Sequence, residues 1–82
     1  MWVNQMVTMR NIRKVGNVIS MDCYAEGKEE GHFYLEIDAI TFEIITNTFC
    51  VMNAYVFHSL QKVKKYVIAG EALPKCAISM WC

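Results

Sequence analysis

The sequence predicts a small α+β domain in which a single amphipathic helix covers one face of a small antiparallel sheet. Two observations carry this prediction. One long stretch has apolar residues at helical spacing, and several shorter stretches alternate between apolar and polar residues. A chain of 82 residues has room for one domain, so residues 1–82 are interpreted as a single unit. The order of the stretches predicts β-β-β-α-β.

The first two predicted strands form a hairpin. Residues alternate in character over Asn17–Ala25 and again over His32–Asp38, which is typical of strands with one buried and one solvated face. The segment between them, Gly27–Gly31, is polar and has a glycine at each end. Glycine supplies the backbone conformations that tight turns need, so a hairpin is expected here.

The third and last predicted strands lie on either side of the helix. Phe42–Thr46 follows a turn at Asp38–Thr41, in which the Asp38 carboxylate can accept a hydrogen bond from the backbone two residues on. The final residues, Cys76–Cys82, predict a terminal strand. Its alternation places Ile78, Met80 and Cys82 on one face and Ala77, Ser79 and Trp81 on the other. We expect Trp81 to point outward and to be exposed in a monomer.

The helix is predicted over Val51–Ala69. Its apolar stripe repeats at spacings of four, three and four residues and consists of Val56, Leu60, Val63 and Val67. Three residues extend or widen this stripe: Met52, Phe57 and Tyr66. Truncation of Leu60 to alanine is expected to cost about 2–5 kcal/mol, as at a buried site.

Both ends of the helix carry terminal signals. Asn47, Thr48 and Asn53 could each cap the start, and Thr48 is the preferred candidate. At the other end, Gly70 can take the left-handed conformation that closes a helix, and Pro74 prevents its resumption.

Composition and charge favour self-association in the cytoplasm. Apolar residues make up 55% of the chain, above the roughly 45–50% that is usual for soluble domains. A domain this small cannot bury so much apolar surface, and a homodimer is the simplest solution. Residues 1–9 lack the features of a secretory signal, so reduced intracellular thiols are expected. The uncharged stretch Ile44–Gln61 is too rich in polar residues to predict a membrane span.

Residues 1–8 show no clean period and predict a poorly ordered extension. The layout of hairpin, turn, helix and a terminal strand near a tryptophan resembles that of small bacterial proteins. No family motif accompanies this resemblance, so no function follows from it.

Motifs that would carry catalysis are missing from the sequence. The four cysteines and two histidines do not occur in the close pairs that are typical of zinc sites, so no metal or cofactor is expected. Cys50 precedes the helix, but His58 is two helical turns away and cannot serve as its base; a buried, inert Cys50 is expected. There is also no glycine-rich phosphate loop. We therefore predict no enzymatic activity.

The leading hypothesis is a cytoplasmic interaction or accessory protein that forms a homodimer and has an unidentified protein partner. Its expected interface residues are Tyr24, Tyr34, Met80 and Trp81. The alternative is a weak nucleic-acid-binding regulator that uses Arg13, Lys62, Lys64 and Lys65. With zero net charge, the attraction of the chain for phosphates would be weak, which makes nucleic acid the less favoured partner.

Overall fold

Five antiparallel strands and one α-helix make up residues 5–81, the part of the chain that the structure, a computed structural model, describes. The elements are β1 (Gln5–Val15), β2 (Val18–Ala25), β3 (His32–Asp38), β4 (Ile44–Asn47), α1 (Ala54–Ile68) and β5 (Ala77–Trp81). The strand order across the sheet is β4-β3-β2-β1-β5. The predicted fold class, an antiparallel sheet with one helix packed on it, is confirmed.

The first strand, β1, was not predicted. It pairs with β2 on one side and with β5 on the other, and Val7 and Met9 on it are fully buried. A bulge between Arg10 and Arg13 interrupts its register. One extra residue at a bulge shifts the alternation of side chains, so the apolar residues of β1 show no constant period. Residues 5–8, which we assigned to an extension, therefore belong to the sheet; residues 1–4 lie outside the described chain.

The hairpin of β2 and β3 forms as predicted, whereas β4 begins later than expected. Phe42 has a positive φ of 63°, and its N–H donates to the Asp38 carbonyl over 2.9 Å, so Phe42 belongs to the turn. The Asp38 carboxylate accepts from the N–H groups of Ile40 (2.7 Å) and Thr41 (2.9 Å), as expected for this turn. These hydrogen bonds, chiefly the one from Thr41, hold the pKa of Asp38 below its usual value.

The helix starts at Ala54, and its N-cap is Asn53; the preference for Thr48 was wrong. The Asn53 backbone is extended, and its side-chain oxygen accepts from the Val56 N–H over 3.0 Å. The Thr48 hydroxyl instead accepts from the Tyr34 N–H over 2.8 Å, which ties β3 to the segment after β4. Cys50 has a positive φ of 68°, which a helix starting at Thr48 would not tolerate.

Gly70 closes the helix as predicted. Its φ is +72°, its N–H donates to the Val67 carbonyl (3.1 Å), and the Glu71 N–H donates to the Tyr66 carbonyl (3.0 Å). This pair of bonds satisfies two carbonyl groups that the last helical turn would otherwise leave unpaired.

The core lies between α1 and the sheet. Its fully buried large side chains include Met9, Ile19, Met21, Phe33, Leu35, Ile37, Val56 and Val63. Of the predicted helix stripe, Leu60 and Val67 are only half-buried and pack at the border of the core, while Phe57 and Met52 are 47% and 60% exposed. Ser59, which the apolar pattern omits, is fully buried, and its hydroxyl donates to the Tyr55 carbonyl over 2.8 Å.

The thiols differ in their surroundings. Cys23 lies in the core, where burial raises its pKa to about 12. Cys50 is exposed in the segment before α1, so the prediction that it is buried against the sheet was wrong. The reason is the late start of the helix, which leaves Cys50 in a turn. Among residues 5–81, no three acidic, cysteine or histidine side chains cluster as metal ligands would, and no helix there is long and apolar enough to cross a membrane.

Candidate interaction surface

One face of the sheet packs against α1, and no element of the described chain covers the other, which we call the outer face. Its residues are those that alternate with the core residues along each strand. They include Met6, Thr8, Arg10, Asp22, Tyr24, His32, Tyr34, Glu36, Ile78 and Met80. Tyr24, Tyr34 and Met80, which we predicted to form an interface, all lie on this face.

The centre of the outer face is a network of polar and aromatic side chains. The Asp22 carboxylate contacts the His32 Nε2 atom at 2.9 Å and accepts from the Asn11 Nδ2 atom over 3.0 Å. The hydrogen bond with His32 is the main reason why the pKa of Asp22 lies below its usual value. The Tyr24 ring packs against His32, with ring centroids 5.1 Å apart. The Arg10 guanidinium lies over the same Tyr24 ring, 4.9 Å from its centroid.

Charge is divided between the two sides of this network. Arg10 and Arg13 lie on β1, whereas Glu36 lies on β3 and accepts from the Tyr34 hydroxyl over 3.2 Å. The Arg10–Glu29 ion pair is long, at 4.0 Å, and both side chains are largely exposed, so it contributes little to stability. The outer face therefore has a basic side and an acidic side, with its titratable groups engaged mainly with one another.

One apolar part of the outer face lies at its β5 end. Ile78 and Met80 are 52% and 66% exposed, and Met6 is the cross-strand neighbour of Met80. The predicted pairing of Ile78 and Met80 on one face of the last strand is confirmed; Cys82 lies outside the described residues. This stripe of three apolar side chains reaches the free edge of the sheet.

Trp81 was placed on the wrong face of the sheet. It lies on the helix side, where its Nε1–H donates to the Gln5 side-chain oxygen over 2.8 Å. Its ring stacks on His58, with centroids 3.9 Å apart and planes at 12°, and meets the edge of Tyr55 at 5.7 Å. These contacts leave Trp81 half-buried. In a terminal strand that is almost wholly apolar, alternation alone does not show which face is the inner one.

The basic residues of the alternative hypothesis lie in different surroundings. Lys62 and Lys65 line a shallow pocket of about 270 Å³ together with Glu71. The Lys64 ammonium lies 5.5 Å from the centroid of the Phe42 ring. Arg13 lies on the sheet, where its guanidinium donates to the Asn11 carbonyl over 2.8 Å. Glu71 lies beside Lys62 and Lys65 and also lines a second pocket with Arg13, and an acid at this position weakens the phosphate-binding interpretation.

Sequence reasoning missed the contribution of β1 to this surface. Met6 and Arg10 are outer-face residues; Met6 was assigned to the extension of residues 1–8, and Arg10 was assigned to no strand. The signal was present in the spacing, since Val7, Met9 and Ile12 fit a strand with one inserted residue. Asn11 has a φ of +54°, and asparagine is one of the few residue types that tolerate this conformation at a bulge.

Comparison of the chain with protein-family models, with curated proteins and with solved structures finds no significant match. The interpretation of the outer face accordingly rests on its geometry and chemistry.

Proposed function

We propose that this chain is a non-catalytic interaction protein of the cytoplasm that self-associates and presents the outer face of its sheet to a protein partner. The observation that carries the proposal is the apolar stripe at one end of this face, in which Ile78 and Met80 are exposed beside the half-buried Met6. Water-exposed apolar side chains that adjoin one another are typical of association surfaces.

The rest of the outer face supports binding rather than catalysis. Tyr24 and Tyr34 offer aromatic surface with a polar tip, a combination that is enriched at protein interfaces. Asp22 and His32 are held by each other, and they lie on an open sheet face where a substrate would remain solvated. The basic and acidic sides of the face give it the means to orient a partner by charge.

Light scattering coupled to size-exclusion chromatography tests the proposal. We expect the wild-type chain to be dimeric at high micromolar concentration and to dissociate on dilution. Met80→Lys should shift the chain to a monomer because it puts a charge into the apolar stripe. Ile68→Lys is the matched control, since Ile68 is 69% exposed but lies on the helix, and it should remain dimeric.

A wild-type monomer at high concentration would contradict the self-association that we propose. Retention of the wild-type chain on a heparin column at low salt, lost in Lys62→Glu, would favour the nucleic-acid alternative.

A further inference from the structure

Among residues 5–81, no strand pairs with the outer edge of β5, and this edge lacks the features that usually protect an edge strand. The strand Ala77–Trp81 contains no charged residue and no proline, and its register with β1 is continuous over all five residues. Exposed edges of this kind can accept another strand, and proteins normally prevent this with charges, prolines, bulges or short strands.

The opposite edge of the sheet, β4, is protected in these ways. It has four residues and follows Glu43, and its pairing with β3 is irregular between Glu36 and Ile37. The Asn47 side chain donates to the Val51 carbonyl over 3.0 Å, which folds the next segment back beside the strand end. The two edges therefore differ, and of the two it is the backbone edge of β5 that is unprotected against pairing with another strand.

The hydrogen bonds around β1 show which backbone groups of β5 are free. The Ile12 N–H donates to the Lys75 carbonyl over 3.0 Å, so Lys75 directs its carbonyl toward β1. The N–H and C=O groups of successive residues point to opposite edges of a strand, so those of Ala77, Ser79 and Trp81 also point toward β1. The N–H and C=O groups of Ile78 and Met80 therefore point away from the sheet.

We propose that β5 pairs antiparallel with β5 of a second copy of this chain, with Ile78 opposite Met80 of that copy. The proposal rests on the self-association proposed above and names the surface and register that produce it. A two-fold axis then passes between the Ser79 residues of the two copies, and the two five-stranded sheets join into one sheet of ten strands. Among the registers that this backbone direction allows, centring on Ser79 overlaps the whole of β5 and gives four new backbone hydrogen bonds.

The side chains of β5 are complementary to themselves in this register. On the outer face, Ile78 of each copy lies beside Met80 of the other, and the apolar stripes of the two copies become continuous. On the helix side, the large Trp81 lies opposite the small Ala77 of the second copy. Ser79 meets its own symmetry mate at the axis, where two small residues can approach closely. Strand pairing over five residues gives an interface at the small end of the range, so we expect dissociation on dilution.

Disulfide trapping tests the register. The background variant is Cys50→Ser/Cys76→Ser/Cys82→Ser, which keeps the buried Cys23. At the axis, Ser79 forms a non-hydrogen-bonded antiparallel pair with its mate, whose Cα separation of roughly 4.5 Å suits a disulfide. Ser79→Cys should therefore form a covalent dimer under mild oxidation about tenfold faster or more than Ile45→Cys. Ile45→Cys is the control because Ile45 is 54% exposed on the other edge strand.

A backbone substitution tests the pairing independently. Ile78→Pro removes an N–H that faces solvent in the monomer, and edge strands tolerate proline at such positions. The variant should keep its circular dichroism spectrum and become monomeric. If the wild-type chain is dimeric but Ser79→Cys is trapped no faster than Ile45→Cys, the β5 register is overturned while the proposed self-association stands. A wild-type monomer overturns both.

Discussion

Truncation of Leu35 tests where the stability of this fold resides. Leu35 is fully buried on β3, and replacing a buried leucine by alanine costs about 2–5 kcal/mol, since a cavity adds to the lost transfer free energy. Leu60 on the helix is only half-buried. Fully burying such a side chain stabilises by about 1.5–3 kcal/mol, so Leu60→Ala should cost about 1 kcal/mol. This is less than its helical spacing alone predicts.

These losses are large for a chain of 82 residues, whose free energy of unfolding is expected to be about 4–12 kcal/mol. Urea unfolding followed by circular dichroism measures them. With a denaturant slope of about 1–2 kcal/mol per molar, Leu35→Ala should lower the midpoint by roughly 1–5 M and Leu60→Ala by about 1 M or less. Both variants and the parent need the same protein concentration, because self-association adds to apparent stability.

The order of the two losses is the result that decides. If Leu60→Ala lowered the midpoint as much as Leu35→Ala, Leu60 would contribute as much to the free energy of unfolding as a fully buried core residue. The interpretation of Leu60 as a half-buried residue would then be refuted.

Two further predictions concern titratable groups. Hydrogen bonds from His32 and Asn11 lower the pKa of Asp22, so its ionised form stabilises the fold above about pH 4, and this contribution disappears as the pH falls through the lowered pKa. Urea midpoints measured from about pH 5 to about pH 2 should therefore fall less in Asp22→Asn than in the parent. Equal falls would contradict the stabilising role assigned to the Asp22 carboxylate. Burial raises the pKa of the Cys23 thiol to about 12, so Cys23 should react with Ellman's reagent only after unfolding. The exposed Cys50 and Cys76 should react in the native Cys82→Ser variant. Rapid labelling of Cys23 in the native protein would show that its strand opens.

The hairpin and the helix could be predicted because each has a single period that one buried face imposes. Strand β3 has the predicted bounds, since every second residue of His32–Asp38 from Phe33 onward is fully or almost fully buried. Helix α1 was predicted three residues too early, because Val51 and Met52 continue an apolar stretch without continuing the helix. The turn at Cys50, with its positive φ, depends on contacts such as the Thr48–Tyr34 hydrogen bond that no local pattern reveals.

The residues of the candidate surface could also be predicted only in part, because alternation was the only guide to the face on which each residue lies. Tyr24 and Tyr34 were assigned to the outer face because polar residues alternate with buried ones along their strands. Trp81 could not be assigned, since Ile78 and Met80 on the reverse face are equally apolar. Its position depends on a hydrogen bond with Gln5, a residue 76 positions away in a strand whose bulge hides its period.

The distribution of apolar residues on the two sheet faces explains why association is proposed at one edge. One helix, about 10–12 Å across, cannot enclose a sheet of five strands, which spans about 19 Å between its outermost strands. The central rows of the outer face are polar and carry Asp22, His32 and Glu36. Toward β5, Met6, Ile78 and Met80 replace these polar residues. A partner that covered the whole face would have to desolvate the central charges, whereas a second copy joined at β5 brings the apolar stripes of the two copies into lateral contact and leaves those charges solvated.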